Sequence, residues 1–506
     1  MSSVVKSIKS NLMNFVVNAI TIFIMTPVLI RSMGDHNYGI FALATSIMGY
    51  MSILDLGLNP AISRYISKYS AIQDSHNTRI YYSASLLVLS VIGVIASVIM
   101  LALLLYDPQI LAPADAPYEP QYTYALLILL VQSLFVFPRI ALIATLNGRN
   151  LFHVHNNITI ILSLVYIVVV LALINSDNGL VLVLLVGLVS EIIKTAYLYA
   201  YITMQIGLRF VHAGFDIMRS AIYTLVRFSS KSFIQGASFK LASHSDNMII
   251  AGFLNASYIV SYSLPVALYG QIYTVVANIN IVYLPVFTDL HTRGERAKLV
   301  ETYLKSTRLI TAISIFSLGS VLVLADNFIS MWVGPDYAEK CSVVVPYLGA
   351  HGIIYLFNPL ANQLVTAMNS HSVFAKLSVY EAALNIALSI LLVNEYGLAG
   401  VALGTLLSCL IIKIFRTAYC MKLLSLSFTQ LCINPVRKVV APSLLPVAME
   451  IYLDDMSRTP TGFVITCLTA SALWFILMMM IGITKEERHY VWKSLSRTIQ
   501  RYNEKA

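Results

Sequence analysis

Eight charged residues stand inside, or at the ends of, long apolar runs: Asp55, Arg139, Glu191, Lys194, Lys240, Asp246, Glu381 and Glu450. A charge at the centre of a bilayer costs about 2.5–3.5 kcal/mol on insertion scales, so each one asks for a reason. Cations in that setting can hold an anionic group, and carboxylates can hold a proton or a metal cation. Glu191 and Lys194, three residues apart, share a helical face and can neutralise each other. Lys194 and Arg416 are also within reach of a membrane surface, where a long side chain can snorkel. Asp55 and Arg64 flank the end of one run, close to water. Arg139, Lys240 and Asp246 have no such simple account.

Enzyme chemistry has no comparable signal. There is no Walker A sequence, no GxSxG and no HExxH, and His153 and His155 are spaced poorly for one helical face. The five cysteines, Cys341, Cys409, Cys420, Cys432 and Cys467, form no CxxC or Cys/His metal pattern and read as small apolar packing residues. No cofactor is expected beyond a coupling Na+ or H+.

The elements that must carry these charges are membrane helices. Hydrophobic residues make up 58% and charged residues 11% of the 506 positions, against about 25% charged in a soluble domain. A span needs roughly 20 apolar residues, and such runs recur from Asn11 to Thr484. The expected fold is an all-α polytopic membrane protein of about fourteen spans. Span seven, from Lys231 to Leu254, is the most polar, with Ser232, Gln235, Ser238, Lys240, Ser243, His244, Ser245, Asp246 and Asn247. A helix this polar cannot face lipid and is expected to line a water-filled cavity, with a buried structural network as the alternative. Asn11, Asn14, Asn18 and Thr21 make a second polar stripe on span one.

A repeat orders the chain. Asn369 to Phe374 answers Asn147 to Phe152, and Arg416 to Tyr419 answers Lys194 to Tyr197, with a common offset of 222 residues. Each copy holds two apolar runs, joined at Gly179-Leu180 and at Gly397-Leu398. Two related halves across a membrane are the plan of a transporter. The expected divisions are a first six-helix lobe (1–204), a linker with an interfacial helix (205–231), a second six-helix lobe (232–421), two further spans (422–484) and a tail (485–506).

The net charge of +9 marks a side of the membrane rather than a nucleic-acid partner. With the N-terminus cytoplasmic, twenty-seven Lys and Arg residues fall in inside segments, and only Arg31, Lys340 and Arg458 fall outside. This is the positive-inside pattern, with both termini cytoplasmic. The outer loops are acidic instead, with Asp107, Asp115 and Glu119, then Asp336 and Glu339. In the tail, Val491, Leu495 and Ile499 share a helical face while Lys493, Arg497 and Arg501 lie elsewhere, which suits either a helix on anionic membrane lipids or a solvated charged tail.

The motifs resemble those of bacterial polysaccharide flippases, the O-antigen and capsule exporters of the multidrug/oligosaccharidyl-lipid/polysaccharide exporter superfamily. The resemblance rests on Met33-Gly-Asp-His-Asn-Tyr-Gly39, on Leu54-Asp-Leu-Gly-Leu58 with Arg64-Tyr-Ile-Ser-Lys68, and on Trp332-Val-Gly-Pro-Asp-Tyr337. It continues through Glu381-x3-Asn385 to Tyr396-Gly-Leu-Ala-Gly-Val-Ala-Leu-Gly-Thr405. It implies two pseudo-symmetric lobes around a central cavity and movement of an undecaprenyl-diphosphate-linked oligosaccharide from the inner to the outer leaflet of the cytoplasmic membrane. It also implies a cationic cavity, for which Arg31, Arg64, Arg139 and Lys240 are the candidates, and ion coupling, for which Asp55, Asp246 and Glu381 are. Other polysaccharide-assembly proteins are the expected partners. A multidrug/cation antiporter of the same superfamily is the competing expectation. A membrane glycan polymerase or ligase is a weaker one, since the longest outer loops span only about 14–16 residues.

Overall fold

The computed structural model describes residues 2–106, 120–175 and 178–489, and among them every regular element is helical. The acidic residues Asp107, Asp115 and Glu119 and the amphipathic tail positions from Val491 onward lie outside the described residues.

The chain divides into two compact units. The first comprises residues 1–263 and 378–404. It begins with α1 (Ser2–Met51), a 3-10 turn (Ser52–Asp55), α2 (Leu58–Ala71) and α3 (Ser75–Tyr106). It continues through α4 (Pro120–Gly148), α5 (Phe152–Leu173), α6 (Gly179–Met204) and α7 (Phe215–Phe253). In α2 the buried residues are Leu58, Ala61, Ile62 and Ile66, a spacing of three and four that puts them on one helical face. They meet Tyr82, Ala84 and Leu89 of α3 and Phe137, Ala141 and Ala144 of α4 in one apolar core. Asp74 opens α3: it accepts from the Asn77 backbone amide at 2.9 Å and from the Asn77 side-chain amide at 2.6 Å. These bonds hold the Asp74 carboxyl below the usual carboxylate range.

The second unit comprises residues 264–377 and 405–506. It takes up α8 (Tyr258–Ile281) from Leu264 onward, then α9 (Tyr283–Thr292) and α10 (Arg296–Trp332). After these come α11 (Pro335–Ser342), α12 (Val345–Leu356), α13 (Ala361–Ala367) and α14 (His371–Leu424), whose central part belongs to the first unit. The chain closes with α15 (Asn434–Tyr452), α16 (Asp454–Ser457) and α17 (Pro460–Leu477). α10 packs along α15, and α15 along α17. Phe316 stacks on Trp474 at 5.3 Å, and Arg308 grips both carboxylate oxygens of Glu487 at 2.5 Å.

Two helices are far longer than a bilayer is thick. α1 has 50 residues and α14 has 54, about 75–80 Å at 1.5 Å per residue, against a hydrocarbon core of about 30 Å. Each is broken at one glycine, Gly34 (φ 76°, ψ 168°) and Gly397 (φ 56°, ψ −131°). These backbone angles are ones that a side chain disfavours. Each long helix is thus interrupted at a single residue.

Among the described residues, nine helices are long and apolar enough to cross a membrane, or ten if the pair Pro335–Ser342 and Val345–Ala367, bent by 63°, is one span. Nine is fewer than the fourteen expected because α1 and α14 each hold two expected spans. In addition, α7 and α15 are not among the nine, carrying Arg219, Arg227, Lys240 and Asp246 in one case and Arg437, Lys438 and Glu450 in the other. The interfacial segment expected before span seven is continuous with it from Phe215.

Candidate functional site

The polar residues of α7 hold helices together. Lys240 donates to the Ser52 carbonyl at 2.7 Å and pairs with Asp55 Oδ2 at 3.0 Å, tying α7 to the 3-10 turn after α1. The other Asp55 oxygen accepts from the Gly57 amide at 2.8 Å. Beside Lys240, the Tyr50 hydroxyl donates to the Leu241 carbonyl at 3.3 Å, and one turn on the His244 ring lies against the bare backbone of Gly49. Ser245 donates to Asn385 at 2.9 Å, Asn247 to Ser46 at 2.9 Å, and Tyr262 to Asp246 at 2.6 Å. Lys240, Ser245, Asp246 and Asn247 are thus bonded to the 3-10 turn, the central part of α14, α8 and α1 respectively, as a buried polar group is costly unless it is bonded.

A second cluster joins α4 to α6. Arg139 Nε lies 2.6 Å from Glu191 Oε2, and Lys194 Nζ lies 3.0 Å from Glu191 Oε1. Glu191 is buried, with 8% of its surface exposed. Lys194 is bonded to Glu191, so snorkelling, the expectation for it, is not its arrangement. Two cations meet one carboxylate, a net charge of +1. Arg139 forms no aligned hydrogen bond with any described residue, and its Nε is buried without one. His155 of α5 stands close enough to feel the Arg139 charge.

The other expected site residues are dispersed. The Arg64 guanidinium covers the Phe228 ring at 4.5 Å, beside stacked Tyr65 and Tyr81 at 4.8 Å. Arg31 is exposed on α1, and Glu381 is half-buried on α14. Arg416, also expected to snorkel, lies 5.6 Å over the Phe374 ring. In α15, Glu450 is buried and accepts from Ser320 of α10 at 2.9 Å. The structure brings together Lys240 and Asp55, two residues expected in different roles. The residue sequence reasoning under-read is Glu191. Its spacing to Lys194 was visible, but the Arg139 contact spans 52 positions. The only signal for it was a surplus of intramembrane cations around one acid. No group of three or more His, Cys, Asp or Glu that could hold a metal is found among the described residues.

Residues 4–291 match the family described as polysaccharide biosynthesis protein. The chain belongs to this family. It is similar to the membrane protein EpsK of Bacillus subtilis, 22% identical over 97% of each chain. It is also similar to a putative O-antigen transporter of Salmonella typhi, 20% identical over 75% of this chain and 87% of that one. A probable low-salt glycan biosynthesis flippase of Haloferax volcanii is 20% identical over 79% of each. Among solved structures, the lipid II flippase MurJ in an inward closed conformation superposes with a TM-score of 0.69 over 94% of this chain and 97% of that one, at 15% identity. An inward-facing multidrug resistance MATE family transporter of the MOP superfamily gives 0.67 over 83% and 98%, at 14% identity. The polysaccharide biosynthesis family member described here thus has the fold of the MOP superfamily transporters.

Proposed function

We propose that the protein is a flippase that carries an undecaprenyl-diphosphate-linked oligosaccharide from the inner to the outer leaflet of the cytoplasmic membrane by alternating access. The observation that carries this reading is the net positive cluster of Arg139, Glu191 and Lys194 within apolar helices. A diphosphate cannot enter hydrocarbon unaided, and buried cations are the groups that can shelter it. Relatives named as an O-antigen transporter and a glycan flippase support the substrate class. The positive-inside pattern supports fourteen spans with both termini cytoplasmic.

In this reading Arg139 is the principal cation, with Arg31 and Arg64 as further contacts at the helix ends. Lys240 serves first to tie α7 to Asp55. Asp246 and Glu381, on α7 and α14, are the carboxylates for a coupling Na+ or H+. The lipid tail stays in the bilayer, and other polysaccharide-assembly proteins supply and take up the glycan. The test is reconstitution of the full chain in liposomes with a fluorescent polyprenyl-diphosphate saccharide in one leaflet. Protein-dependent equilibration between leaflets supports the reading. Equilibration no faster than in empty liposomes overturns it.

A further inference from the structure

We propose that Glu191 is a placeholder counter-ion: it occupies Arg139 and Lys194 in the empty protein and is displaced by the substrate's phosphate oxygens. This rests on the flippase reading and deepens it by naming the group that sets when the cations become available.

Three observations carry it. The charges do not balance: two cations share one carboxylate, with Glu191 Oε2 toward Arg139 and Oε1 toward Lys194. The contact to Arg139 is close at 2.6 Å, yet its Nε is buried without an aligned hydrogen bond. A structural arginine normally satisfies its fork of donors, often with two parallel bonds to one carboxylate. Finally, the cations are the more open partners, with 23% and 17% of their side chains exposed against 11% for Glu191.

Lys240 shows the contrast. Its charge is matched one to one by Asp55, and it also holds the Ser52 carbonyl, so little of it is left for a ligand. At Arg139 an arriving diphosphate offers oxygens that accept from the planar fork of the guanidinium. The exchange replaces one anion by another, so the cations are never left bare in a low-dielectric setting. The same exchange discriminates against uncharged lipids, which cannot displace a carboxylate.

The experiment measures farnesyl diphosphate and farnesol binding to the purified full chain in nanodiscs. Wild type is expected to prefer the diphosphate. Glu191→Gln removes the competitor, and the diphosphate is expected to bind about tenfold tighter, equivalent to about 1.4 kcal/mol, with farnesol unchanged. Arg139→Gln is expected to weaken the diphosphate by about tenfold or more. Glu191→Gln combined with Lys194→Gln keeps the net charge at +1 and should bind the diphosphate at least as well as wild type. That pair provides the reading if the single variant does not fold. Diphosphate binding unchanged or weaker in Glu191→Gln, or weaker in the double variant when that one is read, overturns the inference, leaving Glu191 a structural partner. A wild type with no preference for the diphosphate overturns the flippase reading itself, and this inference with it.

Discussion

Arg139 and Glu191 meet at 2.6 Å across α4 and α6 without an aligned hydrogen bond. This ion pair lies inside the apolar part of the chain. Arg139→Gln is therefore expected to abolish or strongly reduce export of the surface glycan while the protein still accumulates. Glycan blots read beside membrane protein levels check this. Normal export at normal levels would remove Arg139 from the site.

Lys240 and Asp55 are expected to act on stability. Truncating Lys240 to Met leaves Asp55 and the Ser52 carbonyl without their ammonium. Breaking a buried pair costs about 3–5 kcal/mol, and the partial exposure here, 28% and 19%, brings the expectation to about 1–3 kcal/mol. Thermal unfolding in detergent should show the loss. Combining Lys240→Met with Asp55→Asn should recover part of it, as coupled neighbours do.

Glycine at the α1 break makes a sharper test. Around Gly34 an added Cβ meets nothing within 4 Å, so only the backbone angle (φ 76°) opposes a side chain. Gly34→Ala should cost about 1–2 kcal/mol. Gly236, helical and equally uncrowded, should gain about 0.5–1 kcal/mol from the same change. Opposite shifts in melting temperature are expected, and shifts of the same sign would contradict the account of the break.

These sites show what was legible in the sequence. Composition and the apolar runs made the all-helical membrane architecture plain, and the polar residues of α7 were visible as a group. Their partners were not. Asn385, Ser46 and Tyr262 lie far apart in sequence or look unremarkable there, and only the packing of α7 with α1, α8 and α14 brings them to Ser245, Asn247 and Asp246. Local spacing revealed Glu191 with Lys194 because three residues make almost one helical turn. It could not reveal Arg139, which depends on α4 and α6 lying side by side.

Tyr262 donates to Asp246 at 2.6 Å, which gives a separate handle on that carboxylate. Tyr262→Phe removes the donor with little change of shape and should cost about 1–3 kcal/mol. It should also alter the dependence of transport on the Na+ or H+ gradient, read in the same liposomes with each gradient imposed in turn. Unchanged stability together with an unchanged gradient response would place Asp246 outside the coupling machinery.

The most direct test of the central claim is the leaflet in which lipid-linked repeat units reside when cells lose this protein. Accumulation of single repeat units on the inner leaflet, with surface glycan lost and restored by the wild-type chain, is the predicted result. Repeat units still reaching the outer leaflet, with surface glycan intact, would contradict it.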